Sequence, residues 1–132
     1  MRRLVLPLAL LATAAAADGA MTPQAFEAAS TGRTLHFTRA GQPFGAEQYL
    51  SGRRVLWRFA DGSCQQGRWW DDGDRICFDY RNGDGPQCWR FHPRPGGFAA
   101  ALVENGGETG FVLELAASDT APLDCPGPDV GS

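Results

Sequence analysis

From Gly32 onward the chain keeps a two-residue period, and this constrains its fold more than any other feature. Eight segments carry the alternation: Thr34–Thr38, Ala46–Leu50, Arg54–Phe59, Cys64–Trp70, Arg75–Tyr80, Gln87–His92, Phe98–Val103 and Thr109–Leu115. Turn formers separate them, among them Asp61-Gly62, Asp72-Gly73, Asn82-Gly83, Pro95-Gly96-Gly97 and Gly106-Gly107. Side chains that alternate along a strand cover two opposite faces, so such a segment suits a half-buried sheet. Evenly spaced short strands joined by tight turns predict an all-β domain. The expected form is an eight-stranded antiparallel meander closed as a small barrel, with a β-sandwich as the alternative. One short helix precedes it over Thr22–Ala29, with Thr22 as its cap and Pro23 in its first turn.

The alternation sorts the side chains. Val55, Trp57 and Phe59 fall on one face with Gly67, Trp69, Ile76, Phe78, Tyr80, Trp89 and Phe91. Arg54, Arg58, Arg68, Arg75 and Arg90 fall on the other, together with Cys64, Cys77 and Cys88. One face is aromatic and the other charged, as a sheet with one wet side requires. Phe37, Tyr49, Phe98 and Phe111 add to the inward rings. An eight-stranded barrel is just wide enough for side chains or one small ligand. So many rings favour a filled interior, with an aromatic pocket at one mouth as the alternative.

The N-terminus reads as an export signal over residues 1–17. Arg2 and Arg3 precede the apolar run Leu4–Leu11, and Ala15-Ala16-Ala17 offers a small-x-small cleavage site before Asp18. A membrane anchor is the rival reading, but the run is shorter than the ~20 residues a spanning helix needs. Residues 18–132 then form a single β domain, with an irregular tail over 116–132 and no membrane span after cleavage. In an exported chain of this size four cysteines read as two disulfides, and no C-x2-C pair supports zinc.

Hairpin register selects the pairing. A four-residue loop Arg81–Asp84 sets Asp79 opposite Pro86 and Cys77 opposite Cys88, at a site where α-carbons approach closely. That leaves Cys64 with Cys125, which pins the tail across the outer face. Loop closure is worth ~3 kcal/mol for the small ring and ~4 for the large one. An Asp72-Gly73 turn places Gly67 opposite Phe78, and Trp70 opposite Arg75 as a cation–π pair.

The run Gly62-Ser63-Cys64-Gln65-Gln66-Gly67-Arg68-Trp69, then Ile76-Cys77-Phe78-Asp79-Tyr80 and Cys88-Trp89-Arg90-Phe91, resembles a family of small exported (periplasmic) proteins of Gram-negative bacteria. The resemblance covers roughly residues 32–128. It implies an exported location and a small β fold, and brings no activity and no catalytic residues. Gly67-x-Trp69 is also similar to the motif of lipocalin-like barrels, where it belongs near the first strand; here it falls on the fourth. Exported protease inhibitors on eight-stranded barrels offer a further analogy, of fold alone.

The chemistry-bearing residues point to no reaction. His36 and His92 fall on outer faces, and the serines lie mostly in turns or the tail, without a G-x-S-x-G elbow. Asp61, Asp71, Asp72, Asp74 and Asp84 sit where hairpins turn, which Asp does for its own reasons. Asp71-Asp72-Gly73-Asp74 lacks the terminal bidentate Glu of a calcium loop. No cofactor, metal or catalytic residue is therefore assigned. With 12 arginines, no lysine and 15 acids, the net charge of −3 argues against nucleic acid as a partner.

Two sets of residues remain as binding candidates. Trp57, Trp69, Phe78 and Trp89 would line a pocket for a small hydrophobic ligand. Arg58, Arg68, Arg75 and Arg90 would meet a protein partner, or else pair with acids such as Asp79 and Glu47. The leading expectation is a monomeric, non-enzymatic periplasmic binding or envelope-interaction module, such as an inhibitor of an exported enzyme. A hydrophobic-ligand carrier is the alternative. A small hydrolase or lyase is the third reading, and it requires a buried titratable pair.

Overall fold

A computed structural model describes residues 19–125. Residues 1–18, which include the expected export signal, and residues 126–132, the end of the expected irregular tail, lie outside the described residues. Helix α1 (Pro23–Ser30) is followed by eight strands: β1 (Thr34–Arg39), β2 (Gln42–Tyr49), β3 (Arg54–Phe59), β4 (Cys64–Asp72), β5 (Arg75–Asp79), β6 (Gln87–Arg94), β7 (Gly97–Glu104) and β8 (Gly107–Asp119). Each strand pairs antiparallel with the next, and β1 pairs with β8, so the sheet closes as a barrel. The expected meander is the observed one, and closure decides against the sandwich.

Helix α1 begins as its sequence dictates. The Thr22 side chain accepts a 3.1 Å hydrogen bond from the Ala25 amide, and Pro23 fills the first helical position, where an N–H has no intrahelical partner. The helix serves as a stopper. Phe26 is wholly buried, with its ring centroid 4.4 Å from that of Phe91 and 5.3 Å from that of Trp69. Arg53 fastens it from outside through Glu27 at 3.0 Å and Asp71 at 2.8 Å, while its guanidinium lies 4.4 Å from the Trp69 ring centroid. One end of the barrel, where β2–β3, β4–β5 and β6–β7 turn, is thereby plugged. The β1–β2, β3–β4, β5–β6 and β7–β8 connections form the other end.

Both disulfides have the pairing that the register argument selects. Cys77 and Cys88 face each other across β5 and β6, and Cys64 joins Cys125. The tail crosses the outer face of the first strands. Thr34 donates a 2.6 Å hydrogen bond to the Ala121 carbonyl, and the Leu123 amide donates to Gln48 Oε1 at 2.9 Å. On the same outer face Leu56 is 1 % exposed, although its neighbours Val55 and Trp57 are the inward pair. Cys77 is equally buried on the outer face, between Trp70 on β4 and Cys88 on β6. Two disulfides fit an oxidising, extracytoplasmic compartment. No helix among the described residues is long and apolar enough to cross a membrane.

Two local expectations are corrected. The β4–β5 turn is Gly73-Asp74, flanked by Asp72 opposite Arg75, so Trp70 faces Cys77 and not Arg75. A two-residue slip leaves every side chain on its own face, and alternation alone does not detect it. Glycine at the first turn position takes φ +68°, which that two-residue connection needs. The second correction is at the end of β8, which runs on to Asp119 because Ala117, Ser118 and Asp119 still pair with His36, Leu35 and Thr34.

Candidate functional site

Above the Phe26 stopper the barrel is not filled. A cavity of about 280 Å³ opens at the loop end, walled by Phe37, Phe44, Trp57, Phe78, Trp89 and Phe111. Gln65, Asn82, Asp84 and Gln87 form a polar part of the lining. The filled interior favoured from the ring count holds only for the plugged half. Phe26, Trp69, Phe91 and Phe98 pack there in mostly edge-on contacts. Among the described residues no helix or strand caps the second end as α1 caps the first.

Strand geometry positions each wall. Period two on β3 sends Trp57 and Phe59 inward, and Phe59 stays 36 % exposed near the mouth. Gly45 on β2 leaves the space in which the Trp57 ring lies; a Cβ there would also meet the Arg58 carbonyl oxygen at 2.9 Å. Gly67 on β4 does the same for Tyr80, whose Cδ1 would sit 2.8 Å from an added Cβ. The sequence reading had put Phe78 over Gly67. The corrected register moves Tyr80 there and sets Phe78 opposite Trp69.

Of the two carboxyl groups in the cavity lining, Glu47 and Asp84, only Glu47 is buried. Glu47 on β2 is 3 % exposed and lines the cavity with Tyr49 and Tyr80. Tyr80 donates a 2.6 Å hydrogen bond to Glu47 Oε2, and the Tyr49 hydroxyl is hydrogen-bonded to the same carboxyl. Burial pushes the Glu47 carboxyl up to about 8, against the opposing effect of the two tyrosine hydrogen bonds. Burial, and then the charge of Glu47, raises both phenols well above their ordinary value. At neutral pH the group is therefore mostly a neutral acid deep in an aromatic lumen. Glu47 had been assigned to the outer face as a partner for arginine. Its place two residues before the inward Tyr49 puts it inside by the same alternation that governs the other strands.

Of the ligand-binding candidates, Trp57, Phe78 and Trp89 line the cavity. Trp69 lies below it, against Phe26 in the plugged half. Phe44 and Gln65 join the lining although neither was singled out. Phe44 belongs to the part of β2 that precedes the expected strand start at Ala46.

Two of the four arginine candidates are held by acids. Arg75 pairs with Asp72 at 2.7 Å, and Arg90 with Asp74 at 2.9 Å and Glu108 at 4.0 Å. Arg68 is in register between Arg54 and Asp79, whereas Arg58 lies by the β3–β4 loop, near Gly62. The acids at the β4–β5 turn are thus occupied by arginines, Asp71 by Arg53 as well. Among the described residues no group of His, Cys, Asp and Glu is arranged to hold a metal ion. His36 pairs with Asp119 at 3.0 Å and His92 with Glu108 at 2.7 Å, both away from the cavity.

No protein-family model matches the chain, and no curated protein or solved structure matches it either.

Proposed function

We propose that this chain is a small-ligand binding protein of the exported compartment, the periplasm, that holds its ligand in the open aromatic half of the barrel. The observation that carries the reading is the cavity itself, a lumen of about 280 Å³ walled by rings and containing one buried carboxyl. Binding sites of this kind combine apolar walls with few, well-placed polar groups. The helical stopper supports the reading, since it closes one end of the barrel and gives the lumen a floor. The two disulfides and the basic and apolar leader support export.

The reading as an inhibitor of an exported enzyme has less behind it. It relied on the arginines, and Arg75 and Arg90 already neutralise Asp72, Asp74 and Glu108. The hydrolase reading required a buried titratable pair, and Glu47 with Tyr80 is one. However, no histidine, serine or second carboxyl accompanies them in the inner part of the cavity; Asp84 belongs to the β5–β6 connection. A nucleophile with its base within hydrogen-bond reach is what catalysis of that kind needs.

Trp57 and Trp89 report on the site directly. Titrating the oxidised protein with a panel of small hydrophobic and amphiphilic ligands is expected to change tryptophan fluorescence saturably for at least one class, and Trp89→Phe to reduce that change. A flat response across the panel overturns the carrier reading.

A further inference from the structure

We infer that the ligand is a small organic cation, an ammonium group on an aromatic or short aliphatic body, with Glu47 as its counter-ion. This rests on the binding reading above and specifies its chemistry.

The hydrogen-bond arrangement is the first argument. Tyr80 and Tyr49 both have a hydroxyl on the Glu47 carboxyl, and hydrogen bonds from two hydroxyls on one carboxyl favour its ionised form over its neutral one. The site is thus organised for the charged form of Glu47. What it lacks is a cation, since among the described residues no arginine or histidine lines the cavity. Facing Glu47 from the adjoining strands are Leu35 on β1 and Trp57 on β3, neither of which titrates between acid and neutral pH. The titratable groups that share the lumen are Tyr49 on its own strand, Tyr80 after β5, and Asp84 in the β5–β6 connection. All three are acids, so none supplies the missing positive charge.

The walls are the second argument. Ring faces attract cations through their quadrupole, most strongly where water is excluded. This barrel already uses the effect twice within its own chain. The Arg39 guanidinium sits 3.5 Å from the centroid of Phe111, a cavity-wall ring, and Arg53 sits over Trp69 at the plugged end. A neutral hydrophobe would satisfy the rings and leave Glu47 without a counter-ion. An anion would meet Asp84 at the lining and would find no cation to pair with.

The proton balance follows. When the ammonium enters, the O–H bond of Glu47 breaks and its proton leaves for the solvent, so that carboxylate and ammonium form the buried pair. Buried charges persist when they are paired and hydrogen-bonded.

Calorimetry on the full oxidised protein tests this with four probes: 2-phenylethylamine, benzyltrimethylammonium, 2-phenylethanol and 3-phenylpropionate. At pH 7 the two cations are expected to bind at least about tenfold more tightly than the alcohol, with the anion weakest. Their binding heat should differ between buffers of unlike ionisation enthalpy, which reports the released proton. Glu47→Gln should remove this preference and the buffer dependence while retaining the alcohol. An alcohol that binds as tightly as the amine, or an anion that binds best, overturns the cation assignment and leaves the pocket reading intact. Absence of binding by all four overturns both. Should the variant not fold, the wild-type heats decide alone, since cation binding without buffer dependence removes Glu47 as counter-ion.

Discussion

Tyr80 reaches across the lumen to Glu47, a 2.6 Å hydrogen bond between the end of β5 and the middle of β2, strands that are not neighbours in the sheet. Only closure brings them together. Removing the hydroxyl with Tyr80→Phe takes a donor from a buried carboxyl and leaves the ring over Gly67 in place. Losing such a bond costs about 1 kcal/mol or somewhat more when the partner is left unsatisfied. Because that bond holds the carboxyl down against burial, Glu47 is expected to titrate above about 8 in the variant. Carboxyl carbon NMR measures the titration and urea unfolding the stability. A Glu47 titration identical to wild type would show that Tyr80 does not act on the acid.

Glu47 also sets how stability depends on pH. Its carboxyl is raised in the folded protein, from 4.5 to about 8, so between those values the native state holds a proton that the unfolded chain has lost. Its contribution is fully present below about 4.5, declines as pH rises, and is gone above about 8. The slope is up to ~1.4 kcal/mol per pH unit from this one group. Glu47→Gln should flatten the curve of unfolding free energy against pH over that window and be the more stable protein at its alkaline end. A variant that keeps the wild-type slope would assign the dependence to other groups.

Gly67 is the tightest test of the corrected β4–β5 register. A Cβ there would lie 2.6 Å from the Asp79 carbonyl oxygen, a backbone atom that does not swing aside. Gly67→Ala is therefore expected to cost ~1–3 kcal/mol, the usual range for overpacking, and to displace Tyr80 from Glu47. Gly107, with open space around its Cβ position and no positive φ, is the control that should tolerate alanine. Equal thermal midpoints for the two variants would place Gly67 in a different environment from the one described.

The sequence made the barrel legible because in-out alternation is local. Val55, Trp57 and Phe59 declare their face within six residues, and the cross-strand bridge from Cys77 to Cys88 follows from one hairpin. The binding site was less legible. The polar group of the lumen was hidden because Glu47 reads as an ordinary surface acid until Tyr49 is used to fix its face. Its partner Tyr80 lies 33 residues away and is found only by closing the sheet. Phe26 posed the same problem from the other end. A short helix with one large ring carries no mark saying which end of a barrel it will plug, and that choice decides where the cavity opens. The two-residue error in the β4–β5 turn had a different origin. Asp72-Gly73 and Gly73-Asp74 are both good turns, and both keep Trp69 inside.

The two disulfides should separate stability from binding. Cys64–Cys125 spans 61 residues of chain and Cys77–Cys88 spans 11, so loop-closure entropy ranks the first as the stronger constraint on the unfolded state, at ~4 against ~3 kcal/mol. The long bridge has a second effect in the native state, because it holds the tail against Thr34 and Gln48. Releasing it with Cys64→Ser and Cys125→Ser together should lower stability more than the corresponding Cys77 and Cys88 pair, and should expose the Leu123 amide to hydrogen exchange. The described part of the tail, up to Cys125, lies on the outer face and is absent from the cavity lining. Ligand affinity in the released protein should therefore remain within about twofold of wild type while unfolding free energy drops, as expected for sites without shared contacts. Loss of binding on release of the tail would place the tail in the site and overturn the assignment of the lumen as the whole of it.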